Sequence, residues 1–465
     1  MSTTHASHQH LRRVLYEAFR ASPDPVISTE TNNLPGAAMW TGARLWCQRF
    51  RESGLRPGDR VVLRCPRSPG HVMVTLAAWW EGLTLCPVSP HDQTAGQALL
   101  HAYDARVLVE GSSEPLRNQQ TCGAPTPGIA LVLRTSGTGG RASCVCLSYT
   151  NLLHQLLSHR DALGMTCDDR ALCSLPWHHA FGLLVDLWPA LLSGAAVVID
   201  RDDGRSAETI VKQIGAGSIT HASFVPSQVS SVLEVRRGLQ TLQQLRGGVV
   251  GGAPISRALV HPLTTTSLRV GYGQTEASPG IALGKPGCFA AGILGSPFAC
   301  QWKIVHGELH IRGRNVCVGY WEDRALRELP YDRWLATGDR VESSADGLTF
   351  VGRNDHRFKL DTGRMVDAPA IERSLIGATA ADEAVVLPAD GRAVSVSLVT
   401  PGAPKTPSPG ALRSIESVVA GYSHRVASVR RFGRHDVPRT SKGDIDRSRL
   451  AAMLRQKIGP TRQAA

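Results

Sequence analysis

Nowhere in these 465 residues do five like charges run together, and nowhere do two cysteines stand in a C-x-x-C spacing. The first absence argues against a nucleic-acid-binding arm, even though the formal net charge is +12. The surplus reads as a solvated basic surface whose field favours anionic substrates. The second leaves the eleven cysteines without a zinc or redox pattern. Cys144 and Cys146 flank Val145 and would share one face of a strand, as buried apolar packing. The amino terminus, Met1-Ser-Thr-Thr-His-Ala, has no basic region leading into an apolar stretch, so no signal peptide is expected. The apolar stretches 73–88 and 183–199 are interrupted by Glu81, Asp186 and Pro189, and neither is expected to span a membrane. Internal repeats are absent. The expectation is a cytoplasmic, enzyme-like protein with no nucleic-acid partner and an open oligomeric state.

The length exceeds what one ordinary core organises, so a large domain plus a smaller one is expected. With 42% hydrophobic and 19% charged residues the composition suits a globular chain. Residues 9–20 pattern as a short amphipathic helix, 40–54 as a second ending at a glycine, and 71–82 as a third. Leu83–Val88 reads as a buried strand, and helix and strand patterns alternate to about residue 300. That alternation predicts an α/β fold of stacked units with largely parallel sheets. From Trp302 short strands take over (302–304, 307–311, 348–351), suggesting a small β-rich subdomain. Past Asp355 comes a compact unit with helices at 368–376 and 407–420 and strands at 383–387 and 394–398. The predicted division is a large domain, 1–354, and a small α+β domain, 355–465.

Four segments in fixed order carry the chemistry. Leu133-Arg-Thr-Ser-Gly-Thr-Gly-Gly140 follows an apolar run; its small residues Thr135, Ser136, Gly137, Thr138, Gly139 and Gly140 let backbone N–H groups and hydroxyls approach a phosphate. Alone, such a segment is as well explained by a tight turn. Next come Gly271-Tyr-Gly-Gln-Thr-Glu276, then Ala336-Thr-Gly-Asp339 with Val351-Gly-Arg-Asn-Asp355. Pro438-Arg-Thr-Ser-Lys-Gly-Asp-Ile-Asp-Arg447 closes the series. Each is weak alone; an accidental ordered set of four is improbable.

The set resembles the adenylate-forming superfamily, which comprises acyl-CoA and aryl-CoA synthetases, nonribosomal peptide adenylation domains and luciferases. Members join a carboxylate to AMP using ATP and Mg²⁺. The resemblance covers nearly the whole chain from about residue 35. It implies a phosphate-binding loop at 135–140, with Arg141 as a bidentate phosphate donor. Ser143 stands where the family places a lysine. In Leu175-Pro-Trp-His-His-Ala-Phe-Gly182, His179 falls on the aromatic or histidine position of the carboxylate pocket and Ala180 on the next. Amino-acid-activating relatives carry an aspartate at the latter, so a free α-amino acid is an unexpected substrate. A lone histidine is more often structural; its neighbours and the Gly182 spacing give His179 weight.

Phe224, Gly251, Gly252, Ala253 and Gly273 match segments lining the pocket and the adenine site. Tyr272 would stack on adenine. Thr275 and Glu276 would face the phosphates, with Glu276 as the Mg²⁺ ligand. Asp339 resembles the bidentate acceptor of two ribose hydroxyls, Arg353 an arginine reaching the nucleotide, and Asp355 the hinge on which the small domain swings. Two departures remain. The glycine expected three residues after Lys359 is replaced by Thr362, with Gly363 one step late, in a loop that lines the pantetheine tunnel of CoA-dependent relatives. The terminal glycine-lysine pair is Gly443-Asp444, so Lys442 would reach the substrate from the opposite side; alternatively it is a solvated surface charge.

The expected activity is adenylation of a non-amino-acid carboxylate, followed by transfer to CoA or to phosphopantetheine on a carrier protein. Amide, ester or nitrogen–nitrogen bond formation without CoA is a second reading. The third is a degenerate member that binds nucleotide and regulates or scaffolds a partner; the retained Thr275, Glu276, Asp339 and Arg353 argue against it.

Overall fold

In a computed structural model, the described residues are 2–20, 25–29, 33–111, 116–117, 122–135, 143–200, 206–216, 218–362, 364–389, 392–400, 407–433, 435–440 and 444–456. The strand Arg60–Arg64 lies between Thr84–Val88 and Val107–Glu110, parallel to both. Helices cover such sheets on both faces, which explains the continuous apolar runs in place of alternation. Ile129–Arg134 and Cys144–Ser148 continue this eight-stranded sheet antiparallel to each other. Within Cys144–Ser148, Cys146 is fully buried and Cys144 partly so, with no disulfide between them.

A five-stranded sheet pairs Arg170–Cys173 with Ala196–Ile199 and His221–Ala222, all parallel. The third, again of eight strands, begins with the parallel pair Val249–Gly251 and Arg269–Gly273. It continues antiparallel through Gly280–Leu283 and Ile293–Pro297 into the β-rich stretch, where Gln301–Val305, Glu308–Arg312, Leu335–Ser344 and Gly347–Arg353 pair in turn. The stretch from Trp302 is therefore stitched to the strands that carry Gly251 and Tyr272.

Helix boundaries shift where apolar periodicity is silent. The first helix runs Ser2–Arg20, well before residue 9. Its fully buried stripe, Leu11, Leu15 and Phe19, begins only halfway along. The polar first half is tied down by His8, whose Nε2 meets the Trp79 carbonyl at 2.8 Å. The third helix starts at Pro69, with the Ser68 hydroxyl accepting from the His71 N–H. At the back of the first sheet Arg60 is buried against Asp104 at 2.7 Å, and Arg324 closes on the same carboxylate at 2.6 Å.

Past the short turn Asn354–His356, a hairpin of Arg357–Lys359 and Met365–Asp367 leads into the helix Ala368–Ala378. Strands Glu383–Pro388, Val394–Val399 and Val426–Phe432 form one sheet, covered by the helix Pro409–Gly421. Val366, Ile371, Leu375, Val386, Val396, Leu398, Ile415 and Val419 make a core of their own here. No helix among the described residues is long and apolar enough to cross a membrane.

Candidate active site

Strand ends bring the predicted residues together. Phe224, fully buried, donates its N–H to the Val249 carbonyl at 2.8 Å and accepts from the Gly251 N–H at 3.1 Å. Gly251 lies opposite Gly271 in parallel register, and a Cβ at Gly251 would meet the Gly271 carbonyl at 2.6 Å. Gly252 takes a positive φ of 86°, which turns the chain out of the strand into the half-exposed Ala253. The Phe181 ring lies 3.6 Å and 3.7 Å from the Cβ positions of these two glycines, so the segment of His179 and Ala180 is pressed against the Gly251 ledge. Ala180 is buried and His179 half-buried, its ring 4.3 Å from that of His178. Burial pushes His178 down to about 3, with the His179 ring adding to the effect, so His178 is neutral at physiological pH.

Gly273 pairs with Gly280 across a bulge, where a Cβ on Gly273 would overlap the Pro279 carbonyl at 1.5 Å. Only glycine fits there. Thr275 and Glu276 follow on a single 3₁₀ turn, Thr275–Ala277, ended by Ser278 in the left-handed region. The Glu276 carbonyl accepts from the Cys317 N–H at 2.8 Å, and the Ser278 hydroxyl donates to the Asn315 carbonyl at 2.7 Å. Asn151 donates to the Arg314 and Val316 carbonyls, pinning the 313–317 loop beneath Glu276.

Asp339 is the best-defined member. Its Oδ2 accepts from the Tyr272 hydroxyl at 2.6 Å and its Oδ1 from Arg353 Nη1 at 2.7 Å. Arg353 Nε also donates to Asp355 at 2.9 Å. Burial raises the Asp339 carboxyl above its ordinary range, and Arg353 opposes the rise. Burial works against the Arg353 charge, but Asp339 and Asp355 override it and raise the guanidinium further. Tyr272 is pushed well up, by burial first and then by the Asp339 charge. Sequence reasoning expected a face-on role for Tyr272; what the structure gives it is a hydroxyl bond to Asp339.

Two residues escaped the sequence reasoning. Glu308 accepts from the Gly338 N–H at 2.8 Å and from Asn354 Nδ2 at 2.9 Å, tying the Thr337-Gly338-Asp339 turn to the start of the Asn354–His356 turn. Its only sequence signal is a turn glycine before a strand. Arg333 lies beside Cys317, with Nη2 4.0 Å from the thiol. Thr135 follows the strand Ile129–Arg134, and its N–H and hydroxyl donate to the Ser143 carbonyl. Ser136, Gly137, Thr138, Gly139, Gly140, Arg141, Gly363 and Lys442 lie outside the described residues.

As a metal site, the Thr275–Glu276 pair offers a carboxylate and a hydroxyl, hard oxygens of the kind Mg²⁺ takes. No group of three or more His, Cys, Asp or Glu among the described residues could hold a metal ion alone. Glu276 therefore fits a cation that completes its shell with water and substrate phosphate oxygens.

A buried carboxylate held by a tyrosine and an arginine, a glycine ledge and an acidic turn thus lie at the ends of neighbouring strands. Superposition on the anthranilate CoA ligase AuaEII, in complex with anthranoyl-AMP, gives a TM-score of 0.77 over 96% of this chain and 98% of that one, at 20% identity. ATP-bound MatB from Rhodopseudomonas palustris gives 0.77 over 96% and 98%, at 18% identity. Residues 110–321 match the AMP-binding enzyme family. The 2-succinylbenzoate–CoA ligase of Salmonella typhimurium is 28% identical over 363 residues, 74% of this chain and 76% of that one. CymA, a probable nonribosomal peptide synthetase of Salinispora arenicola, is 29% identical over 419 residues; these are 81% of this chain but only 5% of that protein. Residues 110–321 thus match the AMP-binding enzyme family, and the chain shares its fold with AuaEII and MatB.

Proposed function

We propose that the chain activates a non-amino-acid carboxylate as an acyl adenylate and passes the acyl group to a thiol, that of CoA or of a carrier protein's phosphopantetheine. The observation that carries this is the Asp339 cluster: a buried carboxylate with lone pairs left for a vicinal diol, beside the glycine ledge at 251–252. In the first half-reaction a carboxylate oxygen bonds to the α-phosphorus of ATP, and the bond from that phosphorus to the bridging oxygen of pyrophosphate breaks. In the second, the thiol sulfur bonds to the acyl carbon and AMP leaves.

Tyr272 and Asp339 hold the nucleoside, with Arg353 fixing the carboxylate. Thr135, the 136–140 loop and Arg141 take the phosphates. Held at Glu276, Mg²⁺ would draw charge off the triphosphate. His179, Ala180, Phe224, Gly251 and Gly273 line the acyl pocket, where a buried alanine offers no partner to an α-ammonium group. Lys442 supplies the ammonium to the reacting carboxylate; a donor so placed is worth about 10²–10³ in rate. Asp355 is the hinge between domains 1–354 and 355–465, and the site of action is the cytoplasm. Thiol transfer is favoured over CoA-independent chemistry because 2-succinylbenzoate–CoA ligase and feruloyl-CoA synthase are among the relatives. Aryl acids head the candidates for the same reason.

Pyrophosphate release from Mg·ATP across aryl, short-chain and long-chain acids, with hydroxylamine trapping the adenylate, tests the reading. Release with one acid class and a matching hydroxamate is expected. Silence across the panel in protein that binds ATP would favour the regulator reading. Lys442→Ala should lower release with the best acid without weakening AMP binding.

A further inference from the structure

Arg333 occupies an unusual setting for a cation. It lies in the turn before the strand Leu335–Ser344, and its Nε is buried without a hydrogen-bond partner. Among the described residues its one polar contact is the Cys317 thiol, at 4.0 Å from Nη2. A thiol is a weak acceptor, whereas a guanidinium carries five donors. Arg60, Arg353 and Arg447 have carboxylates, Asp104, Asp339 and Glu372 at 2.6 Å in the last case, whereas Arg170 and Arg431 share with Arg333 a buried Nε without a partner. A buried N–H of a charged group left unpaired is costly. Such a group is better explained by a partner that arrives with a ligand.

The neighbours say which ligand. The Cys317 N–H donates to the Glu276 carbonyl, so the thiol beside Arg333 stands directly on the acidic turn. Tyr320, two residues into the strand Gly319–Glu322, is close to both. Burial pushes the Cys317 thiol up to about 11; the Arg333 charge pulls it down and the Glu276 charge pushes it up. On the Tyr320 hydroxyl, raised to about 12 chiefly by burial, the same two charges act in the same opposed senses. Cys317 therefore touches both, its thiol facing Arg333 and its N–H the Glu276 carbonyl, and no ion pair joins the two charges. An acidic turn and a guanidinium joined through one residue suit a polyphosphate carrying its metal ion: the hard cation goes to the carboxylate, phosphate oxygens to the fork.

We infer that Arg333 is a phosphate-binding residue of this site, directed at the β- and γ-phosphates of ATP. The inference rests on the proposed function. It assigns to a residue outside the four sequence segments the charge that holds the pyrophosphate end.

Equilibrium binding of ATP and of AMP, each with Mg²⁺, to wild type, Arg333→Ala and Arg333→Lys tests it, because AMP lacks the two phosphates in question. Arg333→Ala should bind ATP roughly 10- to 100-fold more weakly and AMP within about twofold of wild type. Arg333→Lys, which keeps the charge but not the fork, should fall between. Parallel loss of ATP and AMP affinity, or no loss of either, overturns the assignment. If Arg333→Ala fails to fold, Arg333→Lys decides alone: unchanged ATP affinity, or equal loss of both nucleotides, overturns it. Wild-type protein that binds neither nucleotide overturns the proposed function along with it.

Discussion

Asp339→Asn probes the nucleoside site with almost no change of shape. In the structure one carboxylate oxygen takes the Tyr272 hydroxyl and the other takes Arg353. Two oxygens with about four acceptor sites leave room for both hydroxyls of a ribose. An asparagine presents one oxygen, which Arg353 claims, and an amide that donates towards the Tyr272 side. One ribose hydroxyl then faces a donor. Losing a hydrogen bond to a charged acceptor costs about 1.5–3 kcal/mol, or roughly 10- to 150-fold in affinity. Calorimetric titration with ATP, AMP and their 2′-deoxy and 3′-deoxy forms reads it out. ATP and AMP should weaken by the same factor, in contrast to Arg333→Ala. The deoxy analogue that already lacks the affected hydroxyl should lose little on mutation, a coupling that locates the contact. The reasoning is refuted if AMP affinity is unchanged, or if every deoxy analogue loses as much as its parent.

Three further outcomes follow from the packing around the site. Asp104→Ala strips Arg60 of a fully buried partner and should destabilise the large domain by roughly 3–5 kcal/mol in denaturant unfolding. Gly273→Ala places a methyl where the Pro279 carbonyl stands; it should cost about 1–3 kcal/mol and disturb acid binding more than AMP binding. Asp186 is buried with Oδ2 unpartnered, and burial lifts its carboxyl to about 7. A carboxyl raised in the folded state holds a proton that the unfolded chain has released. Its contribution is therefore full below about pH 4 and is lost as pH rises to about 7, worth up to about 4 kcal/mol. Asp186→Asn should flatten that part of the stability-versus-pH curve, and thermal melts between pH 5 and 8 would show it.

What the sequence makes legible follows from how each residue is specified. Tyr272, Asp339 and Arg353 each sit in a short segment whose neighbours dictate its form. Gly338 takes a φ of 77° that other residues resist, and Gly273 leaves room for the Pro279 carbonyl. The strands that carry these segments, RVGYG at 269–273, LATGDRVESS at 335–344 and GLTFVGR at 347–353, mix glycine and charge with apolar residues, and neither their pairing nor their order can be read locally. Arg333 and Glu308 belong to none of the segments; their roles arise from pairings across the third sheet that no local pattern encodes. The same holds for the first half of the opening helix. There polar contacts far apart in the chain, from His8 to the Trp79 carbonyl and from Thr150 to Ser7, do what an apolar stripe does elsewhere.

Acid-dependent exchange of labelled pyrophosphate into ATP is the most direct test of the central claim, since it detects reversible adenylate formation without any acceptor. With Mg²⁺ and the acid chosen by the hydroxamate panel, exchange should rise with acid concentration and be strongly reduced in Asp339→Asn and Arg333→Ala. Absence of exchange with every acid in protein that binds ATP, or exchange that proceeds equally without acid, would contradict the account.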